Sequence, residues 1–353
     1  MDSVTQAVLG ASVQGALLGR FQGRKALLYG AVLGTLPDLD VVIDYGDAVA
    51  DMTYHRGFSH SVFVLTALAG LITLASRRFK PDPRYTAQRL FCCVALVLLT
   101  HVTLDAFTTY GTQLFWPLAT QPVAVSSIFI IDPLYTTPLL LAVLAGLFVG
   151  LGPKGRRVQY AALALSTLYL LSTLAGKIMA EKAFDKALTR AGINAEQVFS
   201  SPTPFNSVLW RVVAIDGDQY YEGLVSWFDD TPPRLEALPR GASEGQRALE
   251  DSRQLQRLRW FTGDMLRYDL IDEQWVVTDL RLGMTGYHPF RFALATQTAG
   301  EPRLIDKVEA WPVPDADYGQ LAELARRASD PTHSISLSAL AANLAESPEQ
   351  RNR

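Results

Sequence analysis

Up to about Ile178 the chain is a succession of apolar runs, several as long as a bilayer is thick, and no other feature restricts its fold so strongly. About 18 apolar residues suffice for a helix to cross the hydrocarbon core. Six stretches reach or approach that length: 4–21, 26–43, 61–76, 90–107, 134–151 and 158–178. In the first, Gln6, Ser12 and Gln14 interrupt the run, while Gly10, Gly15 and Gly19 recur at a spacing that suits close helix packing in a membrane. Overall composition, 49% hydrophobic and 19% charged, hides this pattern because the chain beyond Lys182 is rich in Asp, Glu and Arg. The expected architecture is an α-helical polytopic membrane domain of about six spans over residues 1–180. A soluble α+β domain with a small antiparallel sheet and a frayed C-terminal tail follows over 181–353.

The breaks between runs alternate in charge. GRFQGRK, SRRFKPDPR and GPKGRR are basic, whereas DLDVVIDYGDAVAD and the long segment after Phe107 are acidic or neutral. The positive-inside rule places the basic breaks in the cytoplasm, and with six spans both termini and the soluble domain lie outside. Within that domain, AEKAFDKALTRAG reads as a helix closed by Gly192. SVLWRVVAIDGDQYYEGLVSWF reads as a hairpin about an Asp-Gly-Asp turn. LRWFTGDMLRYDLIDEQWVVTDLRLGM suggests a helix-to-strand passage and a second strand, FRFALATQ one strand more, and the tail from about Pro331 a helix that frays at its end.

Several classes are disfavoured. The net charge is −3 and no dense Lys/Arg block exists, so nucleic acid is not an expected partner. Cys92 and Cys93 are adjacent inside an apolar run and read as buried small hydrophobes. The opening MDSVTQAVLG lacks the basic n-region of a signal peptide.

Ionisable side chains inside spans are costly and face a cavity or one another. Three such sets occur: Asp38 and Asp40 after Pro37, His55 and His60 before the third run, and His101 with Asp105 near the end of the fourth. The alternating orientation brings all three to the outer face. His101 and Asp105 are i, i+4 and share a helix face, close enough to bind one ion. Pro37 ends its helix and lets the two aspartates turn inward. Gly57, with Ser59 as a helix N-cap, suggests that His55 is a loop ligand and His60 a first-turn ligand. The three imidazoles and three carboxylates exceed one tetrahedral site and are compatible with a two-metal centre. His288 and His333 are isolated and read as surface or packing residues.

MDSVTQAVLGASVQGALLGR, GTLPDLD, HRGFSHS, HVTLDAFTTYGTQLFWP and FIIDP, in that order, resemble the YdjM-like family of predicted membrane-bound metal-dependent hydrolases. The resemblance implies a bacterial or archaeal inner-membrane protein with a bound divalent metal and hydrolytic chemistry. It carries ligand roles onto Asp38, Asp40, His55, His60, His101 and Asp105, with Asp132 a seventh candidate. Where relatives have Thr-His this chain has Thr5-Gln6, making Gln6 a supporting group or weak ligand.

The expected chemistry is hydrolysis at a metal-activated water, with zinc as one or two ions. Asp132 or a non-bridging carboxylate would be the general base. Arg56 would hold a substrate phosphate or carboxylate, and Ser59 or Ser61 would add a hydrogen bond. A site at outer headgroup depth favours a lipid-like ester or phosphoester as substrate, with the bilayer as partner. Two rivals are a non-catalytic membrane protein with a structural metal and a partner-binding outer domain, and a transporter with an ion relay. The transporter lacks ionisable residues toward the inner face. A lipid phosphatase of the vanadium-haloperoxidase type lacks its Lys/Arg-Pro signature.

Overall fold

The computed structural model describes residues 1–298, 300–313 and 318–346. The chain forms two compact units, one of Met1–Ile43 and His55–Leu174, the other of Asp44–Tyr54 and Ala175–Arg353. The helices of the first are α1 (Ser3–Gln22), α2 (Lys25–Thr35), α4 (Val62–Phe79), α5 (Ala87–Phe107), α6 (Pro133–Val149) and α7 (Pro153–Ala191), whose last turns belong to the second unit; α3 (Ala48–Tyr54) belongs wholly to the second.

Among the described residues, three helices, α4, α5 and α7, are long and apolar enough to cross a membrane. The other expected spans fall short for separate reasons. α2 stops after 11 residues, because Pro37 opens a 3-10 turn, Pro37–Val42, that carries both aspartates. α6 has only 17 residues. α1 is 20 residues long, but its polar residues face inward: Gln6, Ser12 and Gln14 are all buried. Only 17% of the apolar window of α4 and 22% of that of α7 are covered by protein, so side chains such as Leu71, Leu74, Leu165 and Leu168 present bare hydrocarbon. Such a surface suits lipid rather than water.

α1 is the central element. Asp2 caps it by accepting from the Val4 and Thr5 amides, and Gly23, at φ 61°, ends it. Val8, Leu9 and Val13 pack with Val97, Leu104 and Leu139, while Leu18 packs with Leu65, Leu90 and Leu98. Its contact with α2 is made by backbone. A Cβ on Gly10 would lie 2.2 Å from the Gly30 carbonyl oxygen, and one on Gly34 would lie 2.5 Å from that of Gln6. No side chain fits there, and interhelical van der Waals contact of this kind is what holds helices together in lipid.

The second unit contains two four-stranded antiparallel sheets rather than the single small sheet expected from the sequence. β1 (Gln197–Pro202), β2 (Leu209–Asp216), β3 (Gln219–Ser226) and β4 (Glu236–Pro239) form one; β5 (Leu266–Ile271), β6 (Gln274–Asp279), β7 (Arg291–Thr298) and β8 (Glu301–Leu304) form the other. Two helices, α8 (Ala242–Ala248) and α9 (Arg253–Thr262), intervene between β4 and β5, and this separates the sheets. The Asp-Gly-Asp hairpin is present: Asp216 pairs with Gln219 around Gly217 at φ 57°. α7 continues through AEKAFDKALTRA, with Gly192 at φ 71° just beyond it. In the tail, α10 (Tyr318–Ser329) precedes Pro331, and the helix expected after Pro331 is only the short α11 (Leu337–Ala341) and a 3-10 turn; the expected fraying from residue 347 onward lies outside the described residues.

Gly10→Ala and Gly34→Ala should each lower the thermal midpoint of the detergent-solubilised protein, by the ~1–3 kcal/mol typical of overpacking. Gly70→Ala on α4, where an added Cβ meets nothing within 4 Å, should be neutral or stabilising by up to ~1 kcal/mol. Equal melting of all three variants would show that the seam is not closely packed.

Candidate metal centre

Three local structures deliver side chains to one point in the first unit. The 3-10 turn after α2 supplies Asp38, the 3-10 turn Phe58–His60 supplies His60, and the last two turns of α5 supply His101 and Asp105. One ligand atom from each of the four lies within 4.8 Å of all the others, so the group can hold a metal ion. His60 Nε2 is 3.1 Å from Asp105 Oδ2 and 3.3 Å from Asp38 Oδ1; His101 Nε2 is 3.2 Å and 3.5 Å from the same atoms. The two Nε2 atoms are 3.3 Å apart.

These separations test the fit to a metal. Ligands about 2.0–2.1 Å from a tetrahedral ion must be about 3.3–3.4 Å from one another, and the five distances above scatter around that value. The imidazole protons point the same way. His101 Nδ1 lies 2.6 Å from the Gly34 carbonyl oxygen, which can only accept, so Nδ1 carries the proton. Ser59 Oγ donates to Asp40 Oδ2 at 2.6 Å and so accepts from His60 Nδ1 at 2.9 Å. Both Nε2 atoms of the neutral rings therefore present lone pairs to each other and to two carboxylates. A cation among them, or protons in its stead, relieves the repulsion. Outer partners of this kind orient metal-binding histidines generally.

Asp105 divides its oxygens. Oδ2 faces the histidines, while Oδ1 accepts from Gln6 Nε2 at 3.1 Å, lies 3.3 Å from Arg56 Nη2 and also contacts the Met1 amine. Gln6 thus supports a ligand through its amide nitrogen, which also donates to the His101 carbonyl.

The other expected site residues take different positions. Asp40 and His55 stand beside the four-residue group, outside it. Asp40 Oδ1 receives His55 Nδ1 at 3.0 Å, and Oδ2 receives the Arg56 amide at 2.9 Å and the Ser59 hydroxyl. With three donors committed, Asp40 organises the loop. The bend between the histidines is made by Arg56, at φ 58°, and not by Gly57, at φ −86°. That bend turns the Arg56 side chain inward, 4% exposed, to donate to Thr108 and pair with Asp105, so it is not offered outward to a substrate. Ser61, not Ser59, caps α4, and its hydroxyl donates to the Trp116 carbonyl at 2.6 Å. Asp132 caps α6 through the Leu134 and Tyr135 amides and accepts from Tyr169 at 2.7 Å, and it does not join the group. Burial raises its carboxyl above the usual value against those three bonds.

Thr108 and Tyr110 are site residues that sequence reasoning passed over. Thr108 accepts from Arg56 at 3.2 Å, and the Tyr110 ring lies 5.5 Å from that of His55 and 5.1 Å from the guanidinium. Their only signal was proximity to His101 and Asp105 in HVTLDAFTTYG. In the second unit, His288 is fully buried, with Nδ1 donating to the Leu282 carbonyl at 2.8 Å. Burial, and then Arg211 beside it, push its pKa well down. His333 contacts Glu323 at 2.6 Å.

The molecule is thus of a definite kind: a helical unit with lipid-compatible faces that carries a buried cluster of two histidines and two aspartates. Residues 1–180, just over half the chain, match the family described as YdjM inner membrane protein, and the chain belongs to that family. Uncharacterized protein YfhP of Bacillus subtilis (strain 168) is 31% identical over 140 residues, 38% of this chain and 42% of that protein. Inner membrane protein YbcI of Escherichia coli (strain K12) is 33% identical over 95 residues, 26% of this chain and 52% of that protein. The chain spans about half the length of the curated relatives it matches. No solved structure matches it.

The purified protein should bind a single divalent ion, measured by elemental analysis. His60→Ala, His101→Ala and Asp105→Asn should lose it, Ser59→Ala should weaken it about 10–100-fold, and Asp132→Asn should retain it. Because Nε2 must be unprotonated to bind, affinity should fall as pH falls, with protons released on binding. Metal retained after loss of either histidine would dismiss the four-residue site.

Proposed function

We propose that this chain is an integral membrane metal-dependent hydrolase whose substrate is a lipid-like ester or phosphoester. The carrying observation is the meeting of His60, His101, Asp38 and Asp105, with each Nε2 3.1–3.5 Å from the other and from both carboxylates and its lone pair turned inward. An all-nitrogen-and-oxygen donor set suits zinc, and a divalent ion held there supplies Lewis acidity toward a scissile group and makes water more acidic. Asp38, whose side chain is 21% exposed, is the ligand that reaches the exterior, so substrate is proposed to approach beside it. His55, 22% exposed, is proposed to serve that approach. Its Nδ1 is held by Asp40 and its ring is 6.1 Å from that of His60, which leaves Nε2 to take a proton from water. This pair replaces Asp132 as the proposed base. Arg56 holds Asp105 in place from behind.

The six apolar helices of the first unit are proposed to follow one another across or into the bilayer, with the basic breaks cytoplasmic. Gln6 lies in the first turn of α1 and Asp105 in the last turn of α5, so the metal centre would lie near the outer headgroup level, and the second unit would follow outside. That depth favours an amphiphilic substrate.

One observation favours the non-catalytic reading. His60, His101 and Asp105 are essentially sealed, and a closed site of four protein ligands is typical of structural zinc, whereas catalytic sites keep a position open. Hydrolysis would require Asp38 to yield or the ion to accept a fifth partner. The readings separate on phospholipid vesicles, with release of phosphate or headgroup followed alongside metal content. The hydrolase reading expects wild type to turn over, Asp105→Asn to lose metal and turnover together, and His55→Asn to keep metal while turnover drops about 100-fold or more. Metal-loaded wild type inert on phospholipid and on soluble esters alike would establish the structural reading.

A further inference from the structure

At the opposite end of α1 and α5 from the metal centre, a pocket of about 640 Å³ opens between those helices, the α4–α5 connection and α7. Arg20 is 14 residues along α1 from Gln6, and Arg89 is 12 residues before His101 on α5, so about 20 Å separates pocket and centre. Arg20, Arg84, Arg89 and Arg156 line it, and no carboxylate does. Arg84 is neutralised by Asp82, 2.7 Å away. Among the described residues, the other three have no ion-pair partner, and the Nε of Arg156 is buried without a hydrogen bond.

The arginines are also crowded. Arg20 and Arg89 both lie over the Phe21 ring, at 4.2 Å and 5.4 Å from its centroid. A single quadrupole cannot offset the mutual repulsion of two guanidiniums as well as an anion between them would. Phosphate matches the planar donor fork of arginine and can accept from several forks at once. The pocket wall adds a second requirement. Leu17 and Leu96, about one to two turns along α1 and α5 from Arg20 and Arg89, give it an apolar side, with Leu96 45% exposed, so cationic groups adjoin a hydrocarbon-compatible flank. Free phosphate would use only the first, whereas an anionic phospholipid uses both.

We propose that this pocket binds the phosphate headgroup of an anionic lipid, at a site separate from the metal centre. Basic pockets between membrane helices hold such headgroups by this electrostatic means. The assignment needs no hydrolase activity and holds whichever side of the membrane the pocket faces.

The test is retention of phosphatidylglycerol against phosphatidylcholine by the full chain in detergent, read by native mass spectrometry. Wild type should hold phosphatidylglycerol preferentially. Each arginine removed should cost about fivefold, so Arg20→Gln/Arg89→Gln/Arg156→Gln should bind roughly a hundredfold more weakly. The exposed set Lys80→Gln/Lys154→Gln/Arg157→Gln removes equal charge outside the pocket and should retain the preference. Metal content and thermal midpoint confirm folding, and Arg156→Gln alone serves if the triple variant does not fold. Equal losses in the two triple variants, or none in the pocket variants, would overturn the proposal. Displacement of the lipid by millimolar inorganic phosphate would reassign the pocket to a soluble phosphate and overturn the lipid assignment.

Discussion

The close approach of α1 and α2 fixes the geometry on which the metal centre depends. Where Gly10 meets Gly30, each backbone occupies the space a methyl group would need. The same seam places Gly34 against Gln6, and both residues act on α5. The Gly34 carbonyl accepts a hydrogen bond from His101 Nδ1, and the Gln6 amide donates to Asp105. Two ligands on α5 are therefore oriented by two residues brought together because neither helix has a side chain at the crossing. A metal site assembled from separate helices needs its supporting shell held as firmly as its ligands, and here backbone contact provides that firmness.

Asp40 plays the corresponding part in the loop. It gathers His55, the Arg56 amide and Ser59, and through Ser59 sets the tautomer of His60. The pattern PDLD was legible as a functional strip, but the division of labour within it was not. Two aspartates two residues apart look equivalent in a sequence, whereas a 3-10 turn sends one to the histidines and the other to loop donors. Arg56 was misjudged for a similar reason. A positive φ at an arginine cannot be read from residue type, which points to Gly57 instead, and that φ decides whether the guanidinium faces outward or into Asp105. The i, i+4 relation of His101 and Asp105 was legible because helical periodicity alone fixes it.

The same contrast holds for the fold. The long apolar runs within α5 and α7 announce themselves by composition. α1 could not be read so simply, since its interrupting glutamines and serine are the residues of a helix wrapped by others. Ser12 and Gln14 pack inside, and Gln6 reaches the metal centre. In the second unit, the hairpin marked by its Asp-Gly-Asp turn was visible locally, whereas the turn at Asp272 and Glu273 that pairs β5 with β6 was not singled out. The partition of eight strands into two sheets depends on which strands pair across long separations, and short-range pattern does not encode that. The segment 44–54, which joins the Asp40 turn to the His55 loop in sequence, belongs to the second unit, where Arg257 lies 3.5 Å from the Tyr54 ring centroid. Nothing in its acidic composition suggested that assignment.

Charge balance explains why such a cluster can persist in an apolar bundle. Asp38, Asp40 and Asp105 bring three carboxylates together, and Arg56 supplies one fixed positive charge among them. With its carboxylates ionised the group carries an excess of negative charge, and burial makes such an excess costly unless it is offset. Protons on the imidazoles relieve it in acid, while a divalent cation relieves it with the rings neutral. A doubly charged ion held there would therefore be favoured by charge balance as well as by its donor atoms. The seal over His60 and His101 would strengthen that preference, because it keeps water from screening the excess.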